Sequence, residues 1–153
     1  MTAFPELGVD VDALLVANSV EVQNGLAYAM GAAWSRCWPP PGQSYPYVRP
    51  LPLVIVLRVP WGDTNVQHSF RVSFRDADGK DLLPPAEGSF KAGRQPDLTD
   101  GASQVVVLSL TPPLTLPQPG LYYVSVEVND VEKKRIQLEA IEDPNKPPQP
   151  KQR

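Results

Sequence analysis

The chain has one cysteine and one histidine in 153 residues. A single cysteine excludes an intrachain disulfide framework and every multi-cysteine zinc site. A single histidine excludes any site that needs two imidazoles from one chain. No segment approaches the roughly 20 apolar residues that a membrane helix requires. The longest apolar run, Leu51 to Val59, has strand length and contains Pro52 and Arg58. The first residues, Met1 to Leu7, have neither a basic region nor a sustained apolar stretch, so no signal peptide is expected and the expected location is cytoplasmic. Motifs are also missing. There is no Gly-x-Ser-x-Gly nucleophile elbow. The glycines at 8, 25, 31 and 42 are scattered and build no phosphate-binding loop.

Proline, by contrast, is abundant. There are 19, against about 8 for an average chain of this length. That leaves little room for long helices, because each interior proline removes a hydrogen bond and clashes with the preceding turn. The rest of the composition is globular, with 42% hydrophobic and 20% charged residues and a net charge of −3. A pI near 5.1 argues against a general nucleic-acid binder, which carries a basic footprint. The charge is uneven. From Lys133 onward six basic residues face three acidic ones, a balance of +3 that leaves −6 on the remainder.

The hydrophobic pattern has strand periodicity. Residues 13–22 form an apolar β-branched run, and Asn24-Gly25 then marks a hairpin, since both central positions of a type I′ turn need positive φ. Leu26 to Met30 is the return strand. Ala33 to Trp38 extends it or begins another. Leu53 to Val59 predicts a strand buried on both faces. Gln67 to Arg75 alternates, with His68, Phe70, Val72 and Phe74 on the core side. A short strand is expected near Ser89 to Lys91, another at Gln104 to Thr111. Tyr122, Val124, Val126 and Val128 point inward from Leu121 to Val128, and Val131 to Ile141 closes the series. The proline-rich segments 39–52 and 112–120 are expected as surface connections. The fold class is therefore all-β. It is an antiparallel β-sandwich of about seven to nine strands, immunoglobulin-like or C2-like, with a closed barrel as the alternative. The organisation is an N-terminal extension over 1–10, a sandwich domain over 11–142 and a disordered Pro/Lys-rich tail over 143–153.

Two segments carry resemblances. Leu114 to Asp130, with its Pro117-Gln118-Pro119-Gly120-Leu121-Tyr122 lead-in, resembles the start of the last hairpin in many immunoglobulin-like sandwiches. Leu14 to Tyr28, with Gly31, Trp34 and Val56 to Trp61, is similar to an uncharacterised family of small bacterial proteins of unknown function. That resemblance implies a bacterial, soluble, single-domain protein. It supplies no activity or cofactor.

Three constellations can carry chemistry. Trp38, Tyr45, Tyr47 and Arg49 lie in or beside the first proline-rich segment, and Trp61 lies at a strand end. Trp, Tyr and Arg are the residue types that most often carry interface energy, and prolines stiffen the segment that presents them. The competing reading packs these aromatics onto one end of the sandwich. Asp76, Asp78 and Asp81 resemble part of a calcium loop, with Asp63, Asp97 or Asp100 as further carboxylates. The EF-hand spacing fails there, because Lys80 and Asp81 stand where a ligand and a glycine belong, and Asp and Gly also suit a plain turn. Cys37 beside Arg36, with His68, would make a Cys/His enzyme if the two met. A hydrogen-bonded histidine at the core edge and a half-buried thiol are the plainer alternative. The expectation is thus a non-enzymatic protein-binding or assembly module without a cofactor. Its partner is another protein rather than nucleic acid or membrane, and a homodimer through open sheet edges is compatible with the fold. The alternative is a calcium- or small-ligand-binding sandwich. A proline-rich tail that serves as a ligand for an aromatic groove is a further, weaker option.

Overall fold

The computed structural model describes residues 8–145. It contains twelve strands and a single 3-10 turn at Trp61–Asp63. β1 (Asp10–Val16), β6 (Leu53–Val59) and β9 (Gln104–Leu110) form an antiparallel three-stranded sheet with β6 in the centre. β4 (Arg36–Cys37), β12 (Val131–Ala140), β11 (Gly120–Val128), β7 (Gln67–Asp76) and β8 (Ala86–Lys91) form a five-stranded sheet in that order. Its pairs are antiparallel except β12 with β4. β2 (Ser19–Gln23) and β3 (Leu26–Met30) make a separate hairpin, and β5 (Tyr47–Pro50) with β10 (Pro113–Leu116) makes a two-stranded ribbon.

One hydrophobic core joins the layers. Val11, Leu14 and Val16 of β1 and Leu53, Ile55, Leu57 and Val59 of β6 meet Val72 and Phe74 of β7, the inward residues of β11, and Leu138 of β12. The strict alternation in β7 and β11 sends every second side chain into this core, as period-2 geometry requires. An irregularity between Val11 and Ala13 in β1 keeps both Val11 and Leu14 buried. It leaves Asp12 outside, within 2.7 Å of the Arg58 guanidinium.

The strand expectations hold for β6, β7, β9, β11 and β12, and several details differ. Residues 13–22 are two strands. The chain leaves the sheet at Ala17, whose N–H donates to the Pro52 carbonyl, and Asn18 then donates to Met30 of the hairpin. Asn24 and Gly25 have φ of 51° and 74°, as the expected turn demands. Of residues 33–38 only Arg36–Cys37 is strand. The proline-rich segments are not mere connections. Each contributes one strand to the β5–β10 ribbon, with Tyr47, Leu114 and Leu116 buried. Proline is tolerated there because both strands are edges, so a missing N–H breaks no ladder on the open side. These additions explain why the strand count exceeds nine. The tail expected over 143–153 lies outside the described residues from 146 onward. No helix among the described residues is long and apolar enough to cross a membrane.

Candidate functional site

The segment between β3 and β5 builds a cleft of about 500 Å³. Gly31 starts it with φ of +62°, and a Cβ there would overlap the Asn18 carboxamide. Both requirements select glycine. The Ala33 N–H then donates to the Val16 carbonyl at 2.8 Å, which ties the segment to the end of β1. β4 next runs parallel to the end of β12, with the Glu139 N–H on Ser35 and the Ile141 N–H on Cys37. This pairing turns Cys37 inward, 5% exposed, and sets Arg36 3.2 Å from Glu139 at the rim. β5 supplies Arg49 from the opposite side.

Trp34, Arg36, Cys37, Trp38 and Arg49 line the cleft. The Arg49 guanidinium lies over the Trp34 ring, 4.4 Å from its centroid, a stacked cation–π arrangement. Arg49 Nε and Trp34 Nε1 are both buried without a hydrogen-bond partner. Trp38 stays 41% exposed. Beneath the cleft, Tyr45 and Tyr47 pack edge to face with ring centroids 5.3 Å apart. The Tyr45 hydroxyl donates to the Ile141 carbonyl at 2.6 Å, and burial pushes its pKa up to about 12. The Tyr47 hydroxyl is buried against Cys37 but forms no well-aligned hydrogen bond. Burial, foremost, and the neighbouring thiol push its pKa upward.

The structure thus brings Trp38 and Arg49 to one cleft and places Tyr45 and Tyr47 under it, with Tyr47 in the core. Trp61 is not part of this group. It sits in the 3-10 turn after β6, with the Arg94 guanidinium 3.5 Å from its ring centroid. The cleft is at the Leu53 end of that strand, so six residues, about 20 Å, separate the two. Sequence reasoning named Trp34 and Arg36 but did not place them on the binding surface. Their signal was visible in the spacing of Trp34, Arg36 and Trp38, but only the β4–β12 pairing shows that these side chains share a cleft with Arg49.

The other candidates have local roles. Asp76 Oδ1 accepts from the N–H groups of Asp78 and Lys80, both at 2.9 Å, and Asp81 is 3.0 Å from Arg75. Asp76 Oδ1 is engaged in the turn and Asp81 Oδ1 in an ion pair. Among the described residues no three His, Cys, Asp or Glu side chains gather as a metal-ligand set. His68 is buried between two partners, with the Asp63 carbonyl 2.8 Å from Nε2 and Asn129 Nδ2 3.0 Å from Nδ1. The Asp63 carbonyl is an acceptor, so it takes the Nε2–H, and the Asn129 carboxamide holds the other ring nitrogen. Cys37 does not meet His68. Cys37 aligns with the Ala140–Gly120 end of the five-stranded sheet, whereas His68 lies beyond the Val128–Phe70 pair. Eight residues of β11 separate those ends, about 25 Å at strand rise.

Other hollows lie on the outer face of the five-stranded sheet. One of about 180 Å³ contains Arg71 with Glu87 and Glu127, and one of about 230 Å³ contains Arg75 and Arg135. Their guanidinium groups are all ion-paired.

A family model described as a family of unknown function, DUF6941, matches residues 12–141. The chain belongs to this family. The matched span covers all twelve strands except the first two residues of β1, and it includes the whole cleft. None of the curated proteins matches the chain.

Proposed function

We propose that the chain is a non-enzymatic protein-binding module whose contact surface is the cleft between β3, β4 and β5. The observation that carries this reading is the Trp34–Arg49 stack beside the exposed Trp38. Two indoles and a guanidinium in one concavity are the residue types that dominate interface energetics. The surrounding prolines 39–41, 46 and 50 limit the entropy lost when a partner docks. The separation of Cys37 from His68 supports binding rather than catalysis. The reading places the protein in the bacterial cytoplasm, in keeping with the family resemblance and with a single free thiol.

Site-specific photo-crosslinking tests it. A benzophenone amino acid replaces Trp38 in one variant and the exposed Val105 of β9 in another, each expressed in source cells. The expected result is a discrete crosslinked protein from position 38 that is absent from position 105 and lost when Arg49→Gln is added. Identical patterns from both positions would refute the assignment.

A further inference from the structure

Arg49 differs from every other described arginine. Arg36, Arg58, Arg71, Arg75 and Arg135 each contact a carboxylate. Arg94 donates to Thr64 and to the Trp61 carbonyl. Arg49 alone among them has neither an ion pair nor a hydrogen bond, and its Nε is buried. A partly desolvated guanidinium without a counter-charge is costly. Its planar fork matches a carboxylate in two parallel hydrogen bonds. Arg36, the other cation of the cleft, sits at the rim, and no Asp or Glu lines the cleft.

Resting on the binding-module reading, we propose that the cleft takes an acidic peptide segment. A side-chain carboxylate seats on Arg49, and an apolar neighbour packs on Trp38. The charge distribution selects a peptide over a polyanion. The chain carries −6 ahead of Lys133, which repels nucleic acid or an anionic membrane at long range. A single carboxylate in the cleft meets Arg49, whose charge no carboxylate offsets, while Arg36 at the rim is already paired with Glu139.

The probe is a phage-displayed library of random twelve-residue peptides, selected on the full chain and counter-selected on a Trp38→Ala/Arg49→Gln variant. Selected peptides are then synthesised as acid and amide pairs and titrated by fluorescence anisotropy. The expected winners place Asp or Glu beside an aromatic or aliphatic residue. Replacing that acid by its amide is expected to weaken binding roughly ten- to a hundredfold, the scale of a charge-assisted hydrogen bond. Arg49→Gln is expected to weaken the acid peptide equally and to abolish the difference between acid and amide, and Arg49→Lys to retain part of it. The comparison within peptide pairs needs no protein variant, so the test survives poor folding of Arg49→Gln.

Peptides that require Trp38 but discriminate acid from amide less than threefold overturn the carboxylate inference and leave the binding-module reading intact. A preference for acid that persists in Arg49→Gln does the same. No enrichment over the counter-selected variant overturns both. Arg49-dependent binding of a single-stranded oligonucleotide in place of peptides overturns the choice of partner.

Discussion

Two buried tyrosines, Tyr47 and Tyr122, are expected to respond in opposite directions to loss of the hydroxyl, and Tyr47 is the informative one. The residue is 5% exposed, and its hydroxyl faces the Cys37 thiol without a well-aligned hydrogen bond. An unsatisfied buried hydroxyl costs about 1–3 kcal/mol. Tyr47→Phe removes that cost. The vacated space is about 10–15 Å³, one water-sized probe, and at about 24 cal/mol per Å³ it subtracts only about 0.3 kcal/mol. The net expectation is stabilisation by about 1 kcal/mol, a rise in Tm of about 2–4 °C for a domain of this size. Tyr122 is the control. It is equally buried, but its hydroxyl donates to the Gln118 carbonyl at 2.5 Å. Tyr122→Phe is expected to lose about 1 kcal/mol, the net worth of one hydrogen bond. Urea unfolding followed by tryptophan fluorescence measures both variants on one scale. If Tyr47→Phe is destabilised as much as Tyr122→Phe, the Tyr47 hydroxyl is bonded in solution and the description of the cleft floor is wrong.

Other consequences follow from single contacts. A Cβ at Gly88 would lie 2.7 Å from Phe70 Cζ, so Gly88→Val is expected to lose about 1–3 kcal/mol through overpacking; an unchanged urea midpoint would contradict this. His68→Leu strips the Asp63 carbonyl and Asn129 Nδ2 of their shared partner and is expected to cost about 2 kcal/mol; a melting temperature within 1–2 °C of the parent would refute the bridging role. Burial raises the pKa of Tyr45 to about 12 and shifts Tyr47 and Tyr122 in the same direction. A raised phenol pKa means the folded state holds protons that the unfolded state releases. This contribution is therefore complete below pH 10, falls as pH rises from about 10 and is gone above the folded pKa values. Urea midpoints that stay flat from pH 9 to 12 would contradict the burial of these phenols. Millimolar calcium is expected to leave Tm unchanged, because Asp76 Oδ1 and Asp81 are already engaged; a rise of several degrees would reinstate the loop as a cation site.

Legibility in the sequence followed the range of the forces involved. β7 and β11 were readable because alternation is local, and a strand with one buried face repeats every second residue whatever its neighbours are. The Asn24-Gly25 turn was readable because only certain residues accept positive φ. The fate of His68 was half readable. Its register placed it on the core side, but its partners Asp63 and Asn129 come from other segments. The proline-rich stretches misled for a related reason. Proline excludes a central strand, yet it does not exclude an edge, and whether a segment is an edge depends on what pairs with it. Hence β5 and β10 stayed hidden until the ribbon was seen.

The candidate site divides in the same way. Composition alone marked Trp38 and Arg49 as residues suited to a binding surface. It grouped them with Tyr45, Tyr47 and Trp61, because nearness in sequence and residue type were its only guides. The fold sends Tyr47 into the core and Trp61 to the far end of β6, under Arg94. It recruits Trp34 and Arg36 through the pairing of β4 with β12. The sequence by itself determined an all-β chain, the inward faces of its longest strands and the absence of multi-cysteine or paired-histidine chemistry, because these depend on local periodicity and residue counts. Tertiary structure alone decided which arginine lacks both an ion pair and a hydrogen bond. That depends on contacts between residues far apart in the chain, such as Arg36 with Glu139 and Arg71 with Glu127, which no local pattern encodes.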